Sequence, residues 1–507
     1  MSGPTIPIIV RRVAPLAAAA ALGALVAWVA LTAPTAQLGT PTAPSGSTAG
    51  EVRPVECPTS LQPLIDAAAP GDAFSLPACI ARETLQVDKP VTLVGVAGGE
   101  IRGSDVWTDW YPDGGTWTSA LGVPPLAAHG SCRRGTDRCL LPEQVFIDGV
   151  AQLQLAAGSR PGAGEFALDS NRHVMLGQDP AGHLVEVTVR TRWIVPTIDG
   201  ITVVGLRMRH AANDAQEGAI TDDGHAVTII DCVMSDTHGA VISMTGPGSL
   251  IGNDIFRGGQ LGVHKGGRII QGNRIHDNNT EDFSWGWESG GVKSVLGDQL
   301  VVGNEVFDNN GPGLWWDGAA SNVRLLGNRV HDNAAAGIIY EIGTGGQIVG
   351  NAVWRNGDED AEWGWGAGIL VSSSAAVQVN DNIVAWNADG ISVISQQRDD
   401  APAEIANIRV ERNIIVGTDR RPLPGQNYGL AWLEDWPGRL FDPASANGGD
   451  DNAFWYGTLE GPTRFAWDGD LAALSAFATK PGGATSRYLS DVDKEAILAH
   501  AGLPPAP

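Results

Sequence analysis

Lys293, Trp315, Asp317 and Glu341 are the residues whose types and spacing point most directly to chemistry. Each follows a glycine at a fixed distance. Lys293 is second after Gly291, Trp315 and Asp317 are second and fourth after Gly313, and Ile339 and Glu341 are second and fourth after Gly337. If each glycine opens a short strand, alternation puts the second and fourth residues on the outward face. Two carboxyl groups on strands ~4.8 Å apart can work as acid and nucleophile at about 5 Å, or as acid and base at a wider gap that admits water. An amine beside them offsets their charge or takes a proton itself.

Aromatic residues flank this cluster. Glu281-Asp282-Phe283-Ser284-Trp285-Gly286-Trp287 and Glu359-Asp360-Ala361-Glu362-Trp363-Gly364-Trp365 share one Glu-Asp-x-x-Trp-Gly-Trp pattern. Both strings precede a strand glycine, with the segments of Asp317 and Glu341 between them, so they are expected to wall one cleft. Trp285, Trp287, Trp315, Trp363 and Trp365 are then candidate surfaces for stacking on sugar rings. The competing reading is that these long loops fold back and use their indoles as a small core. His264, with Lys265, beside Gly266-Gly267, is a further site candidate whose register is open. Trp316 and Tyr340 are expected inside the core, and His276 and His331 in a stacked aromatic column. His210 and Arg209, which precede the clear repeats, are lesser candidates.

The elements that must position these residues form a repeat. Gly-Asn pairs recur at 252–253, 272–273, 303–304, 327–328 and 350–351, and Asn382 and Asn413 continue the column. The spacings are 20, 31, 24, 23, 31 and 31 residues, a coil of roughly twenty-odd residues carrying insertions. A second Asn recurs five residues later, at 278, 309, 333, 356 and 387. Stacked amides of this kind can hydrogen-bond along the stack. Apolar residues keep register three positions before each Asn (Leu250, Ile270, Val301, Leu325, Ile348, Val379, Val410) and two after it (Ile255, Ile275, Val306, Val330, Val353, Val384, Ile415). They are expected as inward columns of short strands. A propeller would need a longer period, and the leucine pattern of leucine-rich repeats is absent.

These units resemble the right-handed parallel β-helix proteins of the pectate-lyase-like superfamily over about residues 201 to 435. The resemblance implies an all-β solenoid, and a scaffold shared by polysaccharide lyases, glycoside hydrolases and epimerases. It implies no single mechanism. Around the repeats (201–440) the expected organisation is an export segment (1–34), a linker (35–54), an N-terminal cap with first coils (55–105), a β-rich insert (106–200) and a loop and helix C-terminal cap (441–507). Pro58 to Ala69 is expected to form a capping helix started by Thr59 or Ser60, and Leu471 to Phe477 and Val492 to His500 terminal helices.

Composition limits the partners. With 33 Lys and Arg against 57 Asp and Glu the net charge is -24, which excludes the basic surface that nucleic acid requires and disfavours a polyanionic substrate. The 17 Trp outnumber Phe and Tyr together. Arg11-Arg12 before an uncharged run from Val13 to Ala33 points to export, with the run long enough to be retained as a membrane anchor. In that compartment Cys57 with Cys79 and Cys132 with Cys139 are the simple disulfide pairs. Cys232, standing where the repeat has Asn, is expected as a buried free thiol.

The leading expectation is an exported, monomeric glycoside hydrolase acting on a polysaccharide, with Asp317 and Glu341 as its carboxyl pair. The second is a lyase or epimerase acting on a uronic acid, where Lys293, Lys265 or His264 takes the C5 proton and calcium is held by Asp317 and Glu341. The third is a surface glycan-binding or structural β-helix without turnover.

Overall fold

The computed structural model describes residues 52–54 and 60–504, apart from 97, 319, 360–361, 399–404, 418–427, 437–438, 458–463 and 469. The expected export segment, nearly all of the linker and Cys57 lie outside the described residues. Among the described residues no helix is long and apolar enough to cross a membrane.

One coil shows how the repeat folds. Leu300–Val302, Glu305–Phe307 and Leu314–Trp316 are three short strands, and Asn304 and Asn309 mark the two turns between them. Equivalent strands of successive coils pair in parallel, giving three sheets of thirteen strands each among the described residues, one of them ending in the antiparallel strand Asp470–Ala472. This is the expected right-handed parallel β-helix. The inward columns are as the spacing requires: Leu250, Ile270, Val301, Leu325, Ile348, Val379 and Val410 are fully buried, and one continuous core runs from Leu61 to Phe477. Burying each such side chain is worth about 1.5–3 kcal/mol.

The asparagines form the expected ladder. The side-chain amide of Asn253 donates to Oδ1 of Asn273 at 2.9 Å, and the same bond repeats through Asn304, Asn328, Asn351, Asn382 and Asn413 to Asn452. Each Oδ1 also accepts the backbone N–H of the preceding rung, so buried turns leave no orphan donor. A second ladder links Asn278, Asn309, Asn333, Asn356 and Asn387 at 2.8 Å. Cys232 fills the first rung as a buried free thiol, its backbone N–H donating to Asn253 Oδ1. Burial pushes that thiol up to about 12. The strand glycines are needed because a Cβ at Gly291, Gly313 or Gly337 would lie 2.5–2.7 Å from the next coil's glycine carbonyl.

Several boundaries differ from the expectation. Val52–Pro54, read as linker, is the outermost strand of one sheet and pairs with Ala73–Leu76. The capping helix is Gln62–Asp66; Thr59 lies outside the described residues, and Ser60 does not cap it. Glu83 does so across the chain, accepting from the Leu61 N–H at 2.7 Å. Ile194–Pro196, inside the stretch read as insert, is a coil strand that carries no Gly-Asn signature. The coils also continue past residue 440, with Gly448–Asp450, Ala453–Trp455 and Phe465–Trp467. Leu471 lies in a strand, leaving helices Leu474–Phe477 and Asp491–His500.

The insert consists of a four-stranded and a five-stranded sheet around its own core, which includes Phe166, Val174 and Val187. Its Cys132–Cys139 disulfide closes a loop that reaches the repeats, where Cys132 bridges Phe283.

Candidate active site

The outward face of one sheet carries the expected cluster. Ser243, His264, Lys293, Trp315 and Ile339 stand in register on five successive coils. His264 is therefore one coil from Lys293, which settles its register. Trp316 pairs with Tyr340, so the residues that follow, Asp317 and Glu341, stand side by side one row further along. Ser372 continues that row beyond Glu341.

The two carboxyl groups have different surroundings. Lys293 Nζ donates to Asp317 Oδ2 at 2.5 Å and sits 3.1 Å from the Trp315 ring centroid. Only 2% of the Lys293 side chain is exposed, and burial pulls its ammonium below the ordinary range against the opposing pull of Asp317. Glu341 is 6% exposed, its Oε2 has no hydrogen-bond partner, and Arg398 is 3.9 Å away. Burial first, and then the Asp317 carboxylate, push the Glu341 carboxyl up to about 7, although Lys293 and Arg398 pull it down. One carboxyl group is thus bound by a cation, while burial raises the other. The Ser372 hydroxyl beside Glu341 is also buried without a partner.

His264 closes the row on the N-terminal side. Its Nδ1 is 3.0 Å from Ser243 Oγ and its Nε2 is 3.6 Å from Glu288. Burial, aided by Lys265, lowers it to about 4, so at neutral pH it is an uncharged hydrogen-bonding group. Lys293 already occupies Asp317 Oδ2, and among the described residues no group of three or more His, Cys, Asp or Glu side chains is arranged to hold a metal ion. The other expectations for aromatic residues hold. Trp316 and Tyr340 are fully buried in the core, and Phe256, His276, Phe307, His331 and Trp354 stack successively. His210 is buried beside the insert, stacked on Phe146 at 3.7 Å.

The tryptophan loops divide. Trp285 is covered by the Arg133 guanidinium at 3.5 Å, and Trp287 packs on Phe283 and His129. Their faces are occupied by the insert, and here the fold-back reading describes the structure. Arg133 also donates to Glu359 at 2.7 Å and to Asn310 at 3.1 Å, and it approaches Asp282, so one residue of the insert ties the two loops together. Trp363 and Trp365 pack against an outward apolar cluster of Trp315, Ile339, Leu370 and Ile394. Half-buried, Trp365 still lines a cavity with Gln396, Gln397, Arg398 and Asp435.

The sequence reading missed Arg398. It is eighth after Gly390, and extending the outward alternation to the sixth and eighth residues would have reached Gln396 and Arg398. Arg133 offered no local signal, because its partners, from Asp282 to Glu359, are 149 to 226 positions away.

Residues 217–382 and 304–433 match the family model described as right handed beta helix region. The chain has the right-handed parallel β-helix fold. Among solved structures, XylC, described in complex with xylose, is similar at 15% identity and a TM-score of 0.61, over 81% of this chain and 83% of that one. The A-module of the mannuronan C-5 epimerase AlgE6 of Azotobacter vinelandii is similar at 14% identity and 0.45, over 85% and 93%. A mannuronic acid specific polysaccharide family 6 lyase from human gut microbiota stands at 13% and 0.41, over 87% and 97%. No curated protein matches the chain.

Proposed function

We propose that this protein is an extracytoplasmic glycoside hydrolase of the retaining type, acting on a weakly charged glycan. The observation that carries the reading is the Asp317–Glu341 pair, side by side on adjacent coils, with Lys293 bound to Asp317 and burial raising the Glu341 carboxyl. Strand spacing of ~4.8 Å supports the roughly 5 Å separation of retaining enzymes. Glu341 donates its proton to the glycosidic oxygen as the bond to the anomeric carbon breaks. Asp317, oriented by Lys293, attacks that carbon from the opposite face and forms a glycosyl ester. Glu341, now ionised, takes a proton from water, which displaces Asp317 and regenerates both groups. The Cys132–Cys139 disulfide supports an oxidising compartment. Sugar binding by a β-helix of similar overall form, XylC, supports the ligand class by analogy of fold.

The test is incubation of the purified protein with a glycan panel, following reducing ends, the ultraviolet absorbance of unsaturated uronates and the anomer first released. Reducing ends without absorbance, with retained configuration and loss in Asp317→Ala and Glu341→Ala, support the reading. Unsaturated products would replace it with a lyase, and binding without turnover would remove catalysis altogether.

A further inference from the structure

A cavity opens at Arg398, the residue that approaches Glu341. Its lining residues are Trp365, Gln396, Gln397, Arg398 and Asp435, around ≈ 400 Å³, within the size range of small-ligand sites. Arg398 connects it to the reacting groups, 3.9 Å from Glu341. The buried Arg398 Nε has no partner, although Nη2 donates to Gln396 at 3.3 Å. Donors, an acceptor and an indole therefore meet around one opening.

The loop that supplies the indole is held in an unfavourable backbone. Trp363 has φ 46° and ψ 40°, a left-handed conformation that a bulky residue rarely adopts. Gly364 follows at φ 81°, so close to the sheet that a Cβ there would lie 2.8 Å from Ser392 Oγ. Together they turn the chain sharply and set Trp365 at the rim. Local strain of this kind costs of order 1–3 kcal/mol and persists where surrounding contacts enforce it, here the apolar cluster beneath Trp363 and Trp365.

We propose that this cavity binds the leaving-group sugar of the substrate, with Trp365 as its stacking platform and Arg398, Gln396 and Gln397 as donors to its hydroxyls. The assignment rests on the hydrolase reading and fixes the direction of the glycan. The acid must stand on the side of the departing oxygen and the nucleophile on the far side of the anomeric carbon. Arg398, which lines the cavity, reaches to 3.9 Å from Glu341, whereas Asp317 is bound by Lys293, beside which His264 stands on the preceding coil. The ring that forms the ester therefore lies over Lys293 and His264, and the reducing side of the chain runs toward the C-terminal coils. The ligand class is a neutral pyranoside, because Asp435 at the rim opposes a second carboxylate.

The experiment compares two substrates sharing one glycone: the oligosaccharide found by the panel, and the corresponding glycosyl fluoride, whose single-atom leaving group cannot reach the cavity. The quantity read is the ratio of kcat/KM for oligosaccharide to kcat/KM for fluoride. Trp365→Ala is expected to lower that ratio ten- to a hundredfold and Arg398→Ala about tenfold, with Trp365→Phe recovering most of it. Thermal unfolding checks that the variants fold. A wild-type protein that hydrolyses no member of the panel sinks the hydrolase reading, and the subsite with it. An active wild type whose ratio is unchanged in Trp365→Ala and Arg398→Ala overturns the subsite alone.

Discussion

Lys293 Nζ lies 2.5 Å from Asp317 Oδ2, while Glu341, next to Asp317 on the following coil, has one carboxyl oxygen with no hydrogen-bond partner. The amine is spent on one acid only. Under the proposed hydrolase reading, that asymmetry gives two chemically equal carboxyl groups different tasks.

Removing the proton donor should cost most where the leaving group is poor. Glu341→Gln is expected to lower kcat/KM on the glycan by about 10²–10⁴ and on the glycosyl fluoride by much less, since fluoride departs without protonation. Asp317→Asn should abolish turnover of both. Steady-state kinetics on the two substrates checks this, and equal losses in Glu341→Gln would argue against its role as acid.

The pH profile follows from the same group. Glu341 must be protonated to act, and it is raised to about 7. Activity should therefore fall as pH rises through about 7. Lys293 lowers the Glu341 carboxyl, so Lys293→Met should move that limb to higher pH while reducing the maximal rate. A limb that stays in place would separate it from Glu341.

Acid should destabilise the fold through buried histidines. His210, His238 and His264 are each held at about 4, mainly by burial, against 6.5 in the unfolded chain. Their folded values are depressed, so the native state binds fewer protons than the unfolded one below about pH 6.5. Stability is full above that pH and declines toward pH 4, by up to about 3 kcal/mol for each histidine. Denaturant unfolding at pH 7 and pH 4.5 measures it, and His264→Gln should flatten the dependence. Glu341 acts oppositely, disfavouring the native state as pH rises from 4.5 through 7.

The ladder predicts a large cost for a small change. Asn328→Ala removes the acceptor for Asn304 N–H and Nδ2 and the donor to Val301 O and Asn351 Oδ1. Each buried orphan costs about 1–3 kcal/mol, so a loss of several kcal/mol is expected in denaturant unfolding. Asn171→Ala, at an exposed turn of the insert, should change little.

Much of this was legible because the repeat writes inward and outward positions directly into the chain. The Gly-Asn spacing located both ladders, and alternation from each strand glycine placed Lys293, Trp315, Asp317 and Glu341 on one face. What escaped depends on contacts between distant segments. The Glu83 cap on the first helix, the Arg133 tie across two loops and the insert that covers Trp285 and Trp287 all join residues with no common period. Coils after residue 440 escaped because Gly448-Gly449 and Ala453-Phe454 depart from the Gly-Asn-x-Ile pattern, even though Asn452 keeps the rung.

The rungs are separated by as few as 20 and as many as 39 residues, while the amide bonds between them stay within 2.9–3.1 Å. Contour length and axial rise are thereby uncoupled. Descendants of this chain can lengthen, shorten or exchange the loops beside the groove while Asp317 and Glu341 keep their mutual distance. Selectivity is free to drift under selection without disturbing the chemistry.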